Sequence, residues 1–442
     1  MKKLFKNISI LKNGADKSAI TSNVIVENDK ITYVGDTPQL PDSAFDRVIC
    51  GKNRLMMPGM YNAHCHSAMT LFRGYGEDLP LDRWLHEKIF PAEDLLTEES
   101  VYAASMLAVC EMIKNGVVSF TDMYSICGET AKAVVESGIK ANIGRAMLCF
   151  NPDATNADMK NDIRMIEAVA LANEYHGAGN GRVKIDMSIH AEYTNTPVSC
   201  AYVADYAKKN GYLMHLHLSE TEKEHNECLT RRDGMTPAEF FRSLGVFDPS
   251  LPTTAAHCVF VTDGDIEIMK ANNVTAVHNP TSNLKLGSGV MRLRNLLDAG
   301  VNVALGTDGA ASNNTLDIFK ELHLASVVHK GIYKQADITT AEEMVALATV
   351  NGAKSQGRND CGKIEVGYKA DIVLIDTDDI NMIPTFDANS ALCYSANSSN
   401  VRMTMADGKI LYENGEFLTV DIEKVKFDMR NVCGNYFRNE SR

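Results

Sequence analysis

Two histidines one residue apart, His64 and His66, follow an apolar run at residues 55–60 that is typical of a short buried strand. In an extended segment alternate side chains point the same way, so both imidazoles can reach one point in space. Imidazole nitrogens are common ligands of Zn²⁺, which makes a metal site one interpretation of the pair. The other interpretation is two hydrogen-bonded loop histidines, because an isolated His-x-His pair is common by accident.

More polar candidates follow other short apolar segments, which alternate with longer helical patterns between residues 55 and 366. We predict eight strands there, at 55–60, 117–121, 140–144, 183–189, 212–216, 253–256, 275–277 and 301–305. Eight such units indicate an α/β protein with a TIM-like (β/α)8 barrel, whose chemistry lies at the carboxyl ends of the strands. The candidates at those ends are His64, His66, His190, His217, Glu220, His257, His278 and Asp308.

Each of these candidates also has an ordinary explanation, since a histidine at a strand end is usually a loop residue and Asp308 precedes a turn glycine. Their concentration at the catalytic face of a barrel instead favours a metal site. Two histidines after strand one, one after strand five and an aspartate after strand eight would suit one Zn²⁺, with Fe²⁺ as a substitute. The end of strand four lacks the lysine that a binuclear barrel needs, because Lys184 lies near the start of that strand.

Both ends of the chain carry short β patterns of a different character from the middle. We predict one small β-sandwich domain formed from residues 1–54 and 367–420, which brackets a catalytic barrel at 55–366. Residues 421–442 form a charged tail with a helical pattern and no evident chemistry.

The composition excludes several classes of partner. A net charge of -13 and a pI near 5.4 argue against nucleic-acid binding, which relies on clustered basic residues. No signal peptide or apolar run of membrane-spanning length is evident, and the eleven cysteines show no paired framework. We therefore expect a cytoplasmic protein that acts on a small molecule and contacts no membrane. Self-association into a homo-oligomer is compatible with these features.

The motifs around the candidates resemble those of the amidohydrolase superfamily, and within it the 5-methylthioadenosine/S-adenosylhomocysteine deaminases. The similarity covers nearly the whole chain. The His-x-His pair within Pro-Gly-Met-Tyr-Asn-Ala-His-Cys-His at 58–66 identifies only the superfamily. More specific are Asn-Leu-Lys-Leu-Gly at 283–287 and Gly-Ala-Ala-Ser-Asn-Asn at 309–314.

The resemblance implies hydrolytic deamination of adenosine-type nucleosides, such as 5′-methylthioadenosine, 5′-deoxyadenosine, adenosine and S-adenosylhomocysteine. By that resemblance the metal ligands would be His64, His66, His217 and Asp308. Glu220 would protonate a ring nitrogen of adenine, Asp308 would take a proton from the attacking water, and His257 would aim the hydroxide. For His215, two residues before His217, we expect a buried structural role.

The resemblance also implies three substrate contacts. Glu93 would accept hydrogen bonds from the ribose hydroxyls, His190 would contact the nucleoside, and Arg145 would face the 5′ substituent. Glu93 could instead be a charge before a helix, and Arg145 could form a surface salt bridge. Family members that accept S-adenosylhomocysteine can carry a second arginine shortly after Arg145, where Asn-Ala-Asp-Met stands here at 156–159. We therefore expect the smaller 5′ groups to be preferred.

Two alternative functions remain open from the sequence. A guanine-type deaminase or an s-triazine chlorohydrolase would use the same mononuclear site, but a bare heterocycle gives a ribose-binding Glu93 nothing to hold. A non-catalytic scaffold is the more remote alternative, because all four ligand residues and Glu220 are present.

Overall fold

The computed structural model of the protein describes residues 1–13, 19–38 and 40–440. Its strands form an eight-stranded parallel sheet from the middle of the chain and a nine-stranded mixed sheet from the two ends. The predicted barrel and the predicted β domain built from both termini are confirmed. No helix in these ranges is both long enough and apolar enough to cross a membrane.

The strands are numbered in chain order. They are β1 (Lys2–Ile10), β2 (Ile20–Glu27), β3 (Lys30–Gly35), β4 (Arg47–Cys50), β5 (Arg54–Pro58), β6 (Met60–Cys65), β7 (Val117–Tyr124), β8 (Lys140–Met147), β9 (Val183–Ile189), β10 (Met214–Leu218), β11 (Thr253–His257), β12 (Val274–His278), β13 (Asn302–Leu305), β14 (Ile372–Asp376), β15 (Val401–Ala406), β16 (Lys409–Glu413) and β17 (Glu416–Phe417). Strands β6 to β13 form the barrel in sequence order, and the other strands form the mixed sheet.

The helices lie mainly between the barrel strands. Several begin after a threonine whose hydroxyl accepts a backbone N–H from the first turn, as Thr97, Thr196 and Thr262 do. Their bounds are Leu81–Trp84, Phe90–Glu93, Glu98–Lys114, Cys127–Ser137, Asn156–Asn161, Ile163–Tyr175, Ala178–Gly181, Pro197–Asn210, Glu222–Arg231, Pro237–Ser243, Asp263–Ala271, Pro280–Lys285, Leu293–Asp298, Ala310–Asn313, Ile318–Tyr333, Ala341–Ala348, Val350–Ser355, Ala388–Ser390 and Ile422–Glu440.

The prediction that residues 55–60 form the first barrel strand is wrong. Strand β5 belongs to the mixed sheet, where it pairs with β1 in parallel and with β14 in antiparallel orientation. The first barrel strand is β6, which begins at Met60 and contains His64. Residues 55–60 are all buried and cross from β5 into β6, so the sequence shows one continuous apolar run where the chain passes from one sheet to the other.

The barrel closes where the end of β13 meets β6. The side chain of Asn62 donates to the Thr307 hydroxyl at 2.7 Å and accepts from its backbone N–H at 3.0 Å. The Asp308 N–H donates to the His64 carbonyl at 3.0 Å. Gly306 permits this approach, because a Cβ there would lie only 2.9 Å from the His64 carbonyl oxygen. Closure therefore brings Asp308 next to His64.

The C-terminal tail is helical, as predicted. Its helix, Ile422–Glu440, buries Met429, Val432 and Tyr436 in one apolar cluster with Trp84. The Tyr436 hydroxyl donates to the carbonyl of Ala92. The tail therefore supports, from outside, the segment that carries Glu93.

A buried ion pair joins the amino-terminal end of the barrel to the mixed sheet. Lys140, at the start of β8, donates to the two carboxylate oxygens of Asp371 at 2.7 and 2.6 Å, and lies 2.8 Å from Asp407. The Tyr61 hydroxyl also donates to Asp371, at 2.6 Å. Burial opposes the charged form of Lys140, but the negative charge of Asp371 outweighs it and raises the pKa of the ammonium group.

We expect Asp371→Asn to destabilise the fold by on the order of 3 kcal/mol, because it leaves the buried Lys140 without its main counter-charge. The thermal midpoint of unfolding measures this effect. Asp42→Asn is the matched control, since Asp42 pairs with Lys6 on the surface at 2.8 Å and its loss should change the midpoint little. Equal midpoints for the two variants would contradict the prediction.

Candidate active site

A cavity opens at the carboxyl ends of the barrel strands. Its lining combines apolar side chains with a few convergent polar groups, which is typical of small-molecule sites. The predicted site residues that line it are His66, Glu93, Arg145, His190, His217, Glu220, His257 and Asp308. His64 lies beneath its floor and is fully buried.

Four side chains converge at this floor. His66 Nε2 lies 3.3 Å from His217 Nε2 and 3.2 Å from Asp308 Oδ1, and His64 Nε2 lies 3.4 Å from the same oxygen. A tetrahedral metal with bonds of about 2.0–2.1 Å separates its ligand atoms by about 3.3–3.4 Å. His64 Nε2 is buried without a hydrogen-bond partner among the described residues. Three imidazole nitrogens and one carboxylate oxygen therefore fit one divalent metal ion.

Backbone carbonyls fix the orientation of two of these rings. His66 Nδ1 bonds the carbonyl of Met123, and His217 Nδ1 bonds the carbonyl of His190 at 2.7 Å. Because a carbonyl only accepts, each Nδ1 carries a proton, and Nε2 is the nitrogen of each ring that faces the centre.

Three further residues considered in the sequence lie outside the converging group. His215 is buried one layer deeper, and its Nε2 lies 2.9 Å from His64 Nδ1, so it orients that ring. His278 Nε2 lies 3.2 Å from the Nε2 of His329, and does not join the centre. Lys184 donates to a backbone carbonyl at 2.7 Å near the start of β9.

Two serines hold the Asp308 carboxylate. Ser282 Oγ and Ser312 Oγ donate to its Oδ2 at 2.6 and 2.8 Å, which leaves Oδ1 facing His64 and His66. The sequence reasoning did not assign these serines a role, although Ser312 lies in the motif at 309–314 and Ser282 immediately precedes the motif at 283–287.

Glu220 and His257 stand beside the converging group. His257 Nε2 lies 3.7 Å from Glu220 Oε2. His257 Nδ1 lies 2.7 Å from the Asn283 amide oxygen, so Nδ1 is the protonated nitrogen and Nε2 is an acceptor. The Ser288 hydroxyl donates to Glu220 Oε1 at 3.3 Å. Sequence reasoning missed the roles of Asn283 and Ser288 as well.

Burial and neighbouring charges shift the pKa values of the floor residues in different directions. Burial raises the pKa of Glu220, lowers the pKa of His64 to about 3 and lowers that of His217 well below its usual range. Burial also opposes protonation of His66, but the Asp308 carboxylate outweighs it and raises the His66 pKa to about 9. Burial alone would raise the pKa of Asp308, but the neighbouring His64 and His66 rings hold it well below its usual range. Metal binding must displace the His66 proton.

Three non-glycine residues at this floor have left-handed backbone conformations. The φ angles are 47° at Ser219, 73° at His257 and 60° at Asp308. Such strain costs on the order of 1–3 kcal/mol each and is typical of functional sites. The turn at Ser219 is held by the buried Glu224 carboxylate, which accepts the backbone N–H groups of Ser219 at 2.9 Å and Glu220 at 2.7 Å.

The upper wall carries Glu93 and His190. Burial raises the pKa of the Glu93 carboxyl, which interacts with Tyr124. His190 Nδ1 lies 3.1 Å from the Thr194 hydroxyl. Burial lowers the pKa of His190 to about 4, so the ring is neutral at pH 7.

Arg145 lines the cavity and also forms a salt bridge, and its contact with a 5′ substituent stays a prediction. Its Nε donates to Glu167 at 2.6 Å and its Nη1 to the Ala146 carbonyl at 2.9 Å. Much of the remaining wall is apolar, with Met69 and Trp84 among its members.

Comparisons with known proteins identify the family of this chain. The sequence profile of the amidohydrolase family matches residues 55–411. A 5-methylthioadenosine/S-adenosylhomocysteine deaminase from Caldanaerobacter subterraneus subsp. tengcongensis is 41% identical over 442 residues, which cover 100% of both chains. A 5′-deoxyadenosine deaminase from Methanosarcina acetivorans is 41% identical over 432 residues, which cover 97% of each chain.

Among solved structures, an adenosine deaminase from Xanthomonas campestris with bound zinc superposes with a TM-score of 0.91. It is 27% identical in sequence, and the match covers 99% of this chain and 98% of that one. By profile, sequence and fold together, this chain belongs to the amidohydrolase family.

Proposed function

We propose that this protein is a metal-dependent hydrolytic deaminase of adenosine-type nucleosides, which releases ammonia and the inosine analogue. The observation that carries the proposal is a buried carboxyl group placed beside the converging ligands, where it can protonate a substrate. Glu220, whose pKa is raised by burial, lies 3.7 Å from His257 at the edge of the converging ligands. The activities named for the two 41% identical relatives support this assignment.

His64, His66, His217 and Asp308 would hold one Zn²⁺, or Fe²⁺ in its place. The nitrogen and carboxylate donors suit these metals, and the zinc in the Xanthomonas campestris structure supports zinc. When bound, the metal would supply a hydroxide near neutral pH by lowering the pKa of a water molecule.

The side chains around the floor would move the protons. Glu220 protonates the adenine ring nitrogen beside the amino-bearing carbon and makes that carbon electrophilic. As the water oxygen bonds to this carbon, Asp308 takes one water proton, and His257 Nε2 accepts a hydrogen bond that aims the attack. Asp308 then returns its proton to the amino group, which leaves as ammonia. The remaining hydroxyl proton passes to Glu220, so both carboxyl groups regain their starting states.

The upper wall favours a nucleoside over a free base. Glu93 would accept hydrogen bonds from the vicinal ribose hydroxyls, and His190 would contact the nucleoside. Arg145 would face the 5′ substituent, but Glu167 already neutralises much of its charge at 2.6 Å. The neutral groups of 5′-methylthioadenosine, 5′-deoxyadenosine and adenosine therefore fit better than the charged tail of S-adenosylhomocysteine.

A substrate panel tests the function directly. Zinc-loaded protein is incubated with the four nucleosides, adenine, guanine and a chloro-s-triazine. Ammonia release is measured for the nucleosides and the two bases, and chloride release for the triazine. We expect turnover of the nucleosides and none of adenine. Turnover of guanine alone, or of the triazine alone, would contradict the proposal and indicate a guanine deaminase or a triazine hydrolase instead. Such an enzyme would use the same floor residues, but its substrate has no ribose hydroxyls for Glu93 to bind.

We expect Glu93→Gln to lower kcat/KM for adenosine by roughly 10–100-fold. This factor corresponds to the loss of hydrogen bonds to a charged group, which contribute about 1.5–3 kcal/mol. The matched comparison is 2′,3′-dideoxyadenosine, which lacks both hydroxyls, so the substitution should change its kcat/KM little. Steady-state kinetics on the two substrates measure the difference. An equal loss for both would show that Glu93 does not bind the ribose.

A further inference from the structure

A buried carboxylate outside the cavity connects two loops of the active site. Glu321 lies on the helix Ile318–Tyr333 and is fully buried. Its Oε2 accepts the backbone N–H of Thr281 at 3.0 Å, and its Oε1 accepts the side-chain N–H of Asn313 at 2.8 Å. Thr281 lies on the short helix Pro280–Lys285 and Asn313 on the short helix Ala310–Asn313, within the loops that follow β12 and β13. One side chain therefore bridges the loops after the last two barrel strands.

Each of these loops delivers one serine to Asp308. Ser282 is the neighbour of Thr281, and Ser312 is the neighbour of Asn313. Their hydroxyls donate to Asp308 Oδ2 at 2.6 and 2.8 Å. Glu321 therefore contacts the sequence neighbour of each serine, and the two serines set the rotation of the Asp308 carboxylate.

We infer that Glu321 is a positioning residue for the metal site, which holds Ser282 and Ser312 so that Asp308 Oδ1 faces the ligand histidines; this rests on the metal ligands proposed above. With Oδ2 saturated by two hydroxyls, Oδ1 remains for the metal. If the loops separated, a serine would be lost and the carboxylate could rotate. Partners of this outer kind orient metal ligands and tune metal affinity.

A carboxylate is suited to this task in a way that an amide is not. Both groups that face Glu321 are N–H donors, and a carboxylate accepts from both. Glutamine has the same shape but offers one acceptor oxygen and one NH₂ donor. Glu321→Gln therefore places a donor against a donor and breaks one of the two connections, with little change in volume.

The test measures zinc affinity without substrate, by competition with a chromophoric chelator. We expect Glu321→Gln to raise the zinc dissociation constant by roughly 10–100-fold. The matched control is Glu343→Gln, because Glu343 likewise accepts one backbone N–H, from Thr340 at 2.9 Å, and one side-chain N–H, from Arg294 at 2.8 Å. Glu343 lies on the next long helix, and its substitution should leave zinc affinity unchanged.

A double-mutant cycle tests whether the effect passes through the serines. In the Ser282→Ala/Ser312→Ala background, Glu321→Gln should add little further loss of zinc affinity, because the connection to Asp308 is already absent. Wild-type zinc affinity in Glu321→Gln, or a full additional loss in the serine-free background, would overturn the inference. Zinc binding without any deamination would instead count against the proposed function alone.

Discussion

Glu220→Gln is expected to lower kcat on adenosine by a factor on the order of 10³, within the range of about 10²–10⁴ for a positioned general acid. Glutamine keeps the size of the side chain but cannot give a proton to the adenine ring nitrogen. Zinc content should be unchanged, since Glu220 is not among the proposed ligands. The measurement is steady-state kinetics on protein whose metal content has been determined.

The matched control is Glu222→Gln, an exposed carboxylate two residues away that should leave kcat unaltered. The pH profile provides a second check. Burial raises the pKa of Glu220 and so favours the neutral acid; activity should fall as pH rises through this pKa. Glu220→Gln should lack that limb of the profile. A variant that keeps more than about a tenth of wild-type kcat would exclude Glu220 as the general acid.

His217→Ala is expected to abolish metal binding and to lower kcat/KM by at least about 10³-fold. The reason is that a catalytic metal stabilises the transition state by several kcal/mol, and about 1.4 kcal/mol corresponds to a tenfold change in rate. The substitution deletes one of the three proposed imidazole ligands, at the position where Nε2 lies 3.3 Å from His66 Nε2. Metal content after dialysis, by elemental analysis, and activity on the same sample give the two readouts.

The control for this variant is His225→Ala, on the neighbouring helix Glu222–Arg231. His217 is buried and His225 is partly buried. His225 does not line the cavity, so metal content should be retained. A His217→Ala protein that still holds one equivalent of zinc with wild-type affinity would require a different set of ligands.

The sequence alone determined the barrel and the residues gathered at one end of it. Short apolar segments alternating with helical patterns predict parallel strands, and parallel strands present their carboxyl ends at a shared edge. Local information was therefore sufficient to bring His66, His217 and Asp308 together, although they are far apart in the chain. The motifs at 283–287 and 309–314 also indicated the family from local information, because each is a contiguous stretch of sequence.

Only the tertiary structure decided which way individual side chains turn and which groups support them. His278 has the same strand-end position as a ligand but bonds His329, on a helix 51 residues later. The passage from β5 to β6 is invisible in a uniformly apolar run, because pairing partners from both ends of the chain select the sheet. Ser282 and Glu321 reach Asp308 and Thr281 across 26 and 40 residues. Such hydrogen bonds join distant segments, so no local pattern of residues encodes them.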